Sequence, residues 1–354
     1  MKVLNLSLKN FRNIEETFLS ADEGMNLICG ENAQGKTNII EAIWLFTGAK
    51  SFRNSKDKEL VNFENEKAVI SLDFISEGIE KQAKLEIEEK RRAVLNENKL
   101  KSPSLLAGNF NAIIFSPNDL SIVKDGPSVR RRFLDIAIGQ LYPSYIEILK
   151  NYLRAVSQRN KIIKDLKYDS TLSVMLDFFE EEIAENGEKL IKFRKKYFDE
   201  LKIFLQMVND GLSSGKDRLE TIYISSFKGE NLREALKESR KEDMFSAVTS
   251  IGPHRDDLEF KINGISARSF GSQGQKRSVA LSLKLAEAEV IKKRVGECPV
   301  FLLDDVMSEL DPKRQDFILN HIEGMQTFLT CCDPSNFKNL KAGKIFEVKK
   351  GKII

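Results

Sequence analysis

The sequence predicts an α/β protein whose two strand-bearing ends enclose a long, mostly helical insertion. Three observations predict it. A glycine-rich strand–loop–helix pattern, "ICGENAQGKTNIIEAIWLF", occupies residues 28–46. From about residue 118 to about residue 245 the chain is helical and charged, with few strand signals. An apolar run ending in two aspartates, "PVFLLDDVMSELD" at 299–311, then follows; its Asp304 lies 304 − 36 = 268 positions beyond Lys36 of the first pattern.

Bulk properties agree with two lobes. A chain of 354 residues is longer than one compact core usually supports. With 41% hydrophobic and 31% charged residues it is globular and not disordered. The net charge is only +3, so any nucleic-acid contact must come from a local basic surface. Cys29, Cys298, Cys331 and Cys332 make no CxxC pair, and reduced thiols are expected. With His254 and His321 the only histidines, no structural zinc site is expected. The opening "MKVLNLSLKNFRN" is broken by Lys9 and Arg12 and does not read as a signal peptide. No apolar run approaches the roughly 20 residues of a membrane helix. A cytoplasmic location is expected.

Taken in order, "VLNLSLKNF" alternates Leu4, Leu6 and Leu8 as a half-buried strand. "GMNLICG" is a short buried strand ending at Gly30, and the run after Lys36 is a helix. "KAVISLDFI" and "KQAKLEIEEKRRAVLNENKL" read as antiparallel strands with a polar turn at residues 96–98. "YIEILKNYLRAVSQRNKIIKDL" and "MLDFFEEEIAENGEKLIKFRKKYFDELKIFLQMV" carry apolar residues at helical spacing. Strands return with "LEFKING", a helix follows over "GQKRSVALSLKLAEAEVIKKR", and "CPVFLLDDV", "TFLTCCDPS" and "GKIFEVKKGKII" supply the last strands. The expected domains are 1–117 and 251–354, forming one lobe, and 118–250, the inserted helical lobe.

Residues Gly30 to Thr37 fit GxxxxGK[ST] at every fixed position, between a strand and a helix. Glycines let backbone N–H groups turn toward phosphate oxygens, and the helix N-terminus favours the same anion. Lys36 would neutralise β- and γ-phosphates and the Thr37 hydroxyl would ligate Mg²⁺. The candidate nucleotide contacts are Gly30, Asn32, Ala33, Gly35, Lys36, Thr37 and Asn38. Asp304, at a strand's C-terminal end, would complete the Mg²⁺ site, and Asp305 would orient or deprotonate an attacking water. "SFGSQGQKRS" opens a long helix at Ser272, Gly274 and Gln275. That helix start reads equally as a second anion cradle or as an ordinary capped helix.

Here the sequence resembles known ATPases. "SFGSQGQKR" is similar to the LSGGQ-like signature of ABC-type ATPases, and "LKNFRN" resembles the opening of SMC-like repair ATPases. "GENAQGKTNIIEAI", "SFR", "FSPNDLSIVKDGPSVRRRFLD", "GPHRDDLEF", "SFGSQGQKR" and "LLDDVMSELD" occur in the order found in the RecF family of bacterial recombination mediators. The resemblance spans nearly the whole chain. It implies an ABC-type P-loop head with an inserted helical lobe and no long coiled coil. It implies ATP and Mg²⁺ as cofactors, Arg12 beside the nucleotide, and a homodimer that sandwiches two ATP molecules. Ser272, Gly274 and Gln275 would then contact the nucleotide of the opposite subunit, with Ser308 to Asp311 as a D-loop at the interface. It further implies slow, DNA-stimulated ATP hydrolysis that opens a clamp on double-stranded or gapped DNA, and recombinase loading with RecR. Three departures favour a switch over a fast engine. No clear glutamine stands at Phe115 to Pro117, Cys332 occupies the switch-histidine position, and Asp305 replaces the usual glutamate.

Between Lys124 and Lys167 ten Lys or Arg face four Asp or Glu. Arg130, Arg131 and Arg132 are consecutive and cannot share one helix face. They are the candidate DNA contacts, against the alternative of a solvated helix. "GPHRDDLEF" reads as a structural turn with ion pairs rather than a hydrolase centre, and Trp44 as core. "KSFRNSKDKE" fits either a DNA-facing loop or a solvated one. The rival functions are a transporter ATPase subunit and a small-molecule kinase or GTPase. The second has no use for the signature-like helix and would need an NKxD element that is absent.

Overall fold

The structure, a computed structural model, describes residues 1–166, 168–229, 231–333 and 342–354. Lys167 of the basic stretch and the Pro334–Ser335 end of "TFLTCCDPS" lie outside the described residues. The chain divides into two units: Met1–Asp119 with Leu281–Ile354, and Leu120–Ala280. The first boundary lies close to the expected one. The second corrects the expectation, because residues 251–280 pack with the helical unit and not with the head.

The first unit contains two six-stranded sheets. One is antiparallel and is built from β1 (Lys2–Phe11), β2 (Ile14–Ser20), β4 (Ala68–Ser76), β5 (Ile79–Ile87), β6 (Arg91–Leu95) and β7 (Asn98–Lys99). Its strand order is β2-β1-β4-β5-β6-β7. Strict alternation puts Ala68, Ile70, Leu72 and Phe74 of β4 inward. In β1 the expected face is modified: Leu6 and Leu8 are buried, but a register shift between Val3 and Asn5 buries Val3 in place of Leu4. The other sheet comprises β3 (Met25–Cys29), β8 (Ala112–Phe115), β12 (Val300–Leu303), β13 (Thr327–Cys331), β14 (Ala342–Lys349) and β15 (Lys352–Ile353). It runs β15-β14-β3-β13-β12-β8. All pairings from β14 to β8 are parallel, so their C-terminal ends share one edge. Helix α1 (Lys36–Leu45) touches β1 and β13 and is buried almost throughout, Trp44 included. Helix α9 (Pro312–His321) joins β12 to β13.

The second unit holds the short α2 (Ser121–Lys124), then α3 (Pro127–Leu141), α4 (Pro143–Asp165), the 41-residue α5 (Ser173–Ser213), α6 (Leu232–Ser246) and the short α7 (Ala267–Phe270). Helix α8 (Gln273–Val295) begins in this unit and contains the boundary between the two. The helical reading missed β9 (Leu219–Ile224), which pairs along its length with β10 (Asp257–Ile262); β11 (Ile265–Ser266) completes that sheet. This pairing draws residues 251–280 into the helical unit. Its polar centre is Arg159 of α4, fully buried and bonded to Glu180 of α5, Asp243 of α6 and Thr249. A buried guanidinium must satisfy its donors, and this one ties three helices together.

Candidate phosphate-binding site

The glycine-rich loop lies where β3 ends. Gly30 has φ 151° and passes so close to β14 that an added Cβ would stand 2.4 Å from the Val348 carbonyl oxygen. Gly35, at φ 114°, caps α1 with a left-handed backbone that presents the helix N-terminus. Lys36 is buried and not the exposed loop lysine that a surface turn would supply. Its Nζ donates to the Gly30 carbonyl at 2.7 Å and the Glu31 carbonyl at 3.0 Å. The loop is braced from the far end of the chain: Gly351 N–H donates to Gln34 O and Lys350 N–H to Gln34 Oε1.

The two motifs, 268 positions apart by their Lys36–Asp304 spacing, meet in space. The Thr37 hydroxyl donates to Asp304 Oδ1 at 2.9 Å. Asp304 is 6% exposed, and burial pushes its carboxyl up to about 6, with the neighbouring Asp305 adding to the rise against the Thr37 hydrogen bond. Asp305 has φ 52°, a left-handed backbone uncommon outside glycine, asparagine and aspartate. Its N–H donates to Thr330 Oγ1 at 2.8 Å, and that hydroxyl lies 3.1 Å from Asp304 Oδ1 and 3.2 Å from Asp305 Oδ1. Thr330 therefore orients both carboxylates, a role sequence reading missed.

Arg12 lines the cleft beside the loop, and its guanidinium makes four hydrogen bonds within the protein. Its guanidinium bonds both Glu41 oxygens, Ser55 Oγ and the Glu59 carbonyl. Arg12 thus stands in the cleft wall with its guanidinium largely held by protein partners. Two further residues went unrecognised in sequence. Asn13 donates to the Ala33 carbonyl and accepts from Asn38, linking the end of β1 to the loop. Arg53, within the basic "KSFRNSKDKE" stretch, lines the cleft and donates to Asn38 Oδ1 at 3.0 Å. The fully buried Glu41, 3.9 Å from Arg53, was the legible signal: a carboxylate within the apolar run Ile39–Leu45 needs cations nearby. Asn32 Oδ1 accepts from Cys332 Sγ, and Cys332 itself stands 3.7 Å from Lys36 Nζ at the end of β13. Together these elements bound a cleft of about 680 Å³.

In the second unit the signature residues form a reciprocal helix cap. Gln275 N–H donates to Ser272 Oγ at 3.2 Å, and Ser272 N–H to Gln275 Oε1 at 3.0 Å. Ser272 is exposed. The arginine run does not act as one surface. Arg130 is 3% exposed and holds both Asp257 oxygens and two backbone carbonyls, so it has no face left for DNA, a correction to its candidate role. Arg131 and Arg132 are half-buried and line a separate cavity of about 310 Å³ with Arg194 and Asp135. The "GPHRDDLEF" segment is structural: His254 Nδ1 meets Tyr152 Oη at 2.6 Å and Nε2 meets the Thr249 carbonyl, while Asp256 binds Tyr223.

The site gathers Lys36, Arg12 and Arg53 around the glycine-rich loop, beside the Thr37 hydroxyl and the Asp304 and Asp305 carboxylates. Comparison with known proteins agrees with this chemistry. The family model described as RecF/RecN/SMC N terminal domain matches residues 2–353. The DNA replication and repair protein RecF of Acetivibrio thermocellus is 41% identical over 356 residues, covering 97% of this chain and 96% of its own. The protein of the same name from Clostridium acetobutylicum is 40% identical and covers 100% and 99%. Among solved structures, the recombination mediator protein RecF-ATP in the RecFOR pathway has a TM-score of 0.93 at 37% identity, covering 100% of this chain and 97% of that one. The Smc head domain of Pyrococcus furiosus, at 18% identity and a TM-score of 0.57, shares the fold. Among the described residues no helix is long and apolar enough to cross a membrane.

Proposed function

This chain belongs to the RecF family, with the head fold of SMC-like ABC ATPases, and from that premise we propose that it is an ATP-gated clamp on DNA in replication and repair. The observation that carries the reading is the 2.9 Å contact between Thr37 and Asp304, which assembles the two halves of a nucleotide site. Two hard oxygen donors beside a phosphate loop fit Mg²⁺, a cation that keeps most of its water and needs only one or two protein ligands. Mg²⁺, when bound, would neutralise charge on the β- and γ-phosphates. Lys36 would turn from the Gly30 and Glu31 carbonyls to the same phosphates. Asp305 would accept the proton of the attacking water.

The exposed helix start at Ser272, Gly274 and Gln275 would close on the nucleotide of a second copy, with Ser308 to Asp311 at the interface. ATP then drives dimerisation, and hydrolysis releases it. Cys332 at the switch-histidine position cannot serve as an imidazole would, so hydrolysis is slow and acts as a timer. Arg131 and Arg132 would meet DNA backbone, double-stranded or gapped, in the closed dimer. RecR is the expected partner in recombinase loading, and the protein works in the cytoplasm. The transporter alternative gives way to full-length identity of about 40% with RecF proteins. Solution mass with ATP, ADP and DNA tests the reading. A dimer with ATP that returns to monomer with ADP is expected; a monomer under all conditions overturns it.

A further inference from the structure

Cys29 and Cys331 are the last residues of β3 and β13, which pair in parallel with these two residues in register. Register partners on neighbouring strands project to the same face. Strands about 4.8 Å apart place them inside the Cα–Cα range of about 4.4–6.8 Å that a disulfide spans. Both are free thiols buried in the core, with their sulfurs 2.9 Å apart and sharing one hydrogen bond. A pair of small apolar side chains would fill the same space; two facing thiols add a chemistry that packing does not use.

Each sulfur adjoins the candidate phosphate site through its chain neighbour. Cys29 precedes Gly30, whose carbonyl accepts from Lys36 and whose backbone is pressed against Val348. Cys331 follows Thr330, whose hydroxyl lies within reach of both aspartates. With Cys331 as donor, its S–H holds the Cys29 pKa below the ordinary thiol value; Lys36 adds to the fall, against burial, Asp333 and Glu347. Thiolate character makes Cys29 the attacking sulfur. The exposed Cys332 makes its contacts elsewhere, with Lys36 and Asn32.

We infer that Cys29 and Cys331 are an oxidation site that hydrogen peroxide converts to a disulfide, and that this bond weakens nucleotide binding, the second part resting on the nucleotide reading of the site. The Cys29 sulfur attacks one peroxide oxygen, the O–O bond breaks, and the departing hydroxide takes the thiol proton and leaves as water. The Cys331 sulfur then displaces hydroxide from the resulting sulfenic acid, and with the Cys331 proton this leaves as a second water. Two thiols and one peroxide thus give one disulfide and two waters. Disulfides in the cytosol are usually transient and redox-sensing, which suits a pair beside a functional loop. Bond formation closes the sulfurs from 2.9 Å to about 2.05 Å, drawing Gly30 and Thr330 out of the positions that serve Lys36 and the aspartates.

The test treats the full chain with hydrogen peroxide, alkylates the remaining thiols with iodoacetamide, and follows peptides by mass spectrometry and ATP binding, with Mg²⁺, by equilibrium titration. A peptide pair joined through Cys29 and Cys331 is expected, and dithiothreitol should separate it. ATP affinity should fall at least about tenfold on oxidation and return with dithiothreitol. The reduced parent is its own control, so no variant has to fold for this comparison. Cys29→Ser and Cys331→Ser should each keep their own ATP affinity through the treatment, whereas Cys332→Ser should still form the bridge. By reciprocity, ATP should raise the midpoint potential of the pair in glutathione buffers by about 30 mV, the tenfold factor for a two-electron couple. Both thiols still open to alkylation, a bridge through Cys332 instead, or a bridge that leaves ATP affinity unchanged would each overturn the inference. Failure of the reduced parent to bind ATP would sink the nucleotide reading itself, and is seen separately from the bridge.

Discussion

Thr37 and Asp304, 267 positions apart in sequence, share a hydrogen bond of 2.9 Å across the ends of neighbouring elements. The bond holds a buried carboxylate and a helix-start hydroxyl at the spacing from which both can turn to one cation. Thr330 keeps Asp305 on the same rim by holding its N–H, so both aspartates are held by one hydroxyl.

Asp305→Asn is expected to preserve ATP binding and slow hydrolysis by at least about a hundredfold, the scale of a lost general base. The fold should survive, because asparagine also tolerates the left-handed backbone at this position. The ATP dimer should then outlast that of the parent. Single-turnover phosphate release checks this, and an unchanged rate would remove Asp305 from the chemistry.

Lys36→Ala should abolish nucleotide binding. The lysine also bonds two loop carbonyls, so a stability loss of about 1 kcal/mol is expected alongside. Calorimetric titration with ATP and a urea melt separate the two effects. Retained ATP affinity would refute the loop assignment.

Ser272→Arg should leave ATP binding by the monomer intact and eliminate the ATP dimer. A large cation at that exposed helix start cannot enter a closed two-copy site. Removing the reciprocal cap should cost about 1 kcal/mol, too little to unfold the chain. Sedimentation with ATP is the measurement; a normal dimer would end the two-sided model.

Replacing Arg131 and Arg132 together by alanine should flatten the log–log salt dependence of DNA binding by about 0.9 for each phosphate that the variant no longer neutralises. Arg130→Ala should behave differently. It strips the buried half of a bidentate ion pair from Asp257, so about 2–3 kcal/mol of stability should go. If the double variant keeps the parent slope, DNA lies elsewhere on the protein.

His254 gives the protein a pH signature. Burial pushes its pKa down to about 4 from 6.5, with Arg255 and Arg131 adding to the fall against the Thr249 hydrogen bond and Asp256. Between those values the unfolded chain binds the proton more tightly. The stabilisation is thus full above about pH 6.5 and is lost as pH falls toward 4, by up to about 3 kcal/mol. His254→Phe should flatten the stability slope across this window. An equally steep slope in urea melts from pH 7 to pH 4.5 would assign it to other groups.

Much of the site was readable in sequence because its chemistry is local. A glycine pair, a lysine and a hydroxyl need only a strand before and a helix after. The strand ending in Asp304 was readable for the same reason. What escaped was set by pairing between distant segments. Four-residue β8 has no periodicity to detect, and β9 was masked by its helical surroundings until β10 returned to pair with it. Arg130 looked like surface because the residue that neutralises it, Asp257, is 127 positions away. Thr330 has no motif at all; only the parallel pairing of β12 and β13 brings it to the aspartates.

The bracing of Gln34 by Lys350 and Gly351 sets an order of events during synthesis. The glycine-rich loop leaves the ribosome well ahead of its brace, which lies 316 positions downstream. Over most of translation the nascent chain carries the loop without the strand that presses on Gly30. ATP in the cell would therefore have no finished cradle to occupy until Lys350 and Gly351 have emerged and β14 has docked beside Gly30.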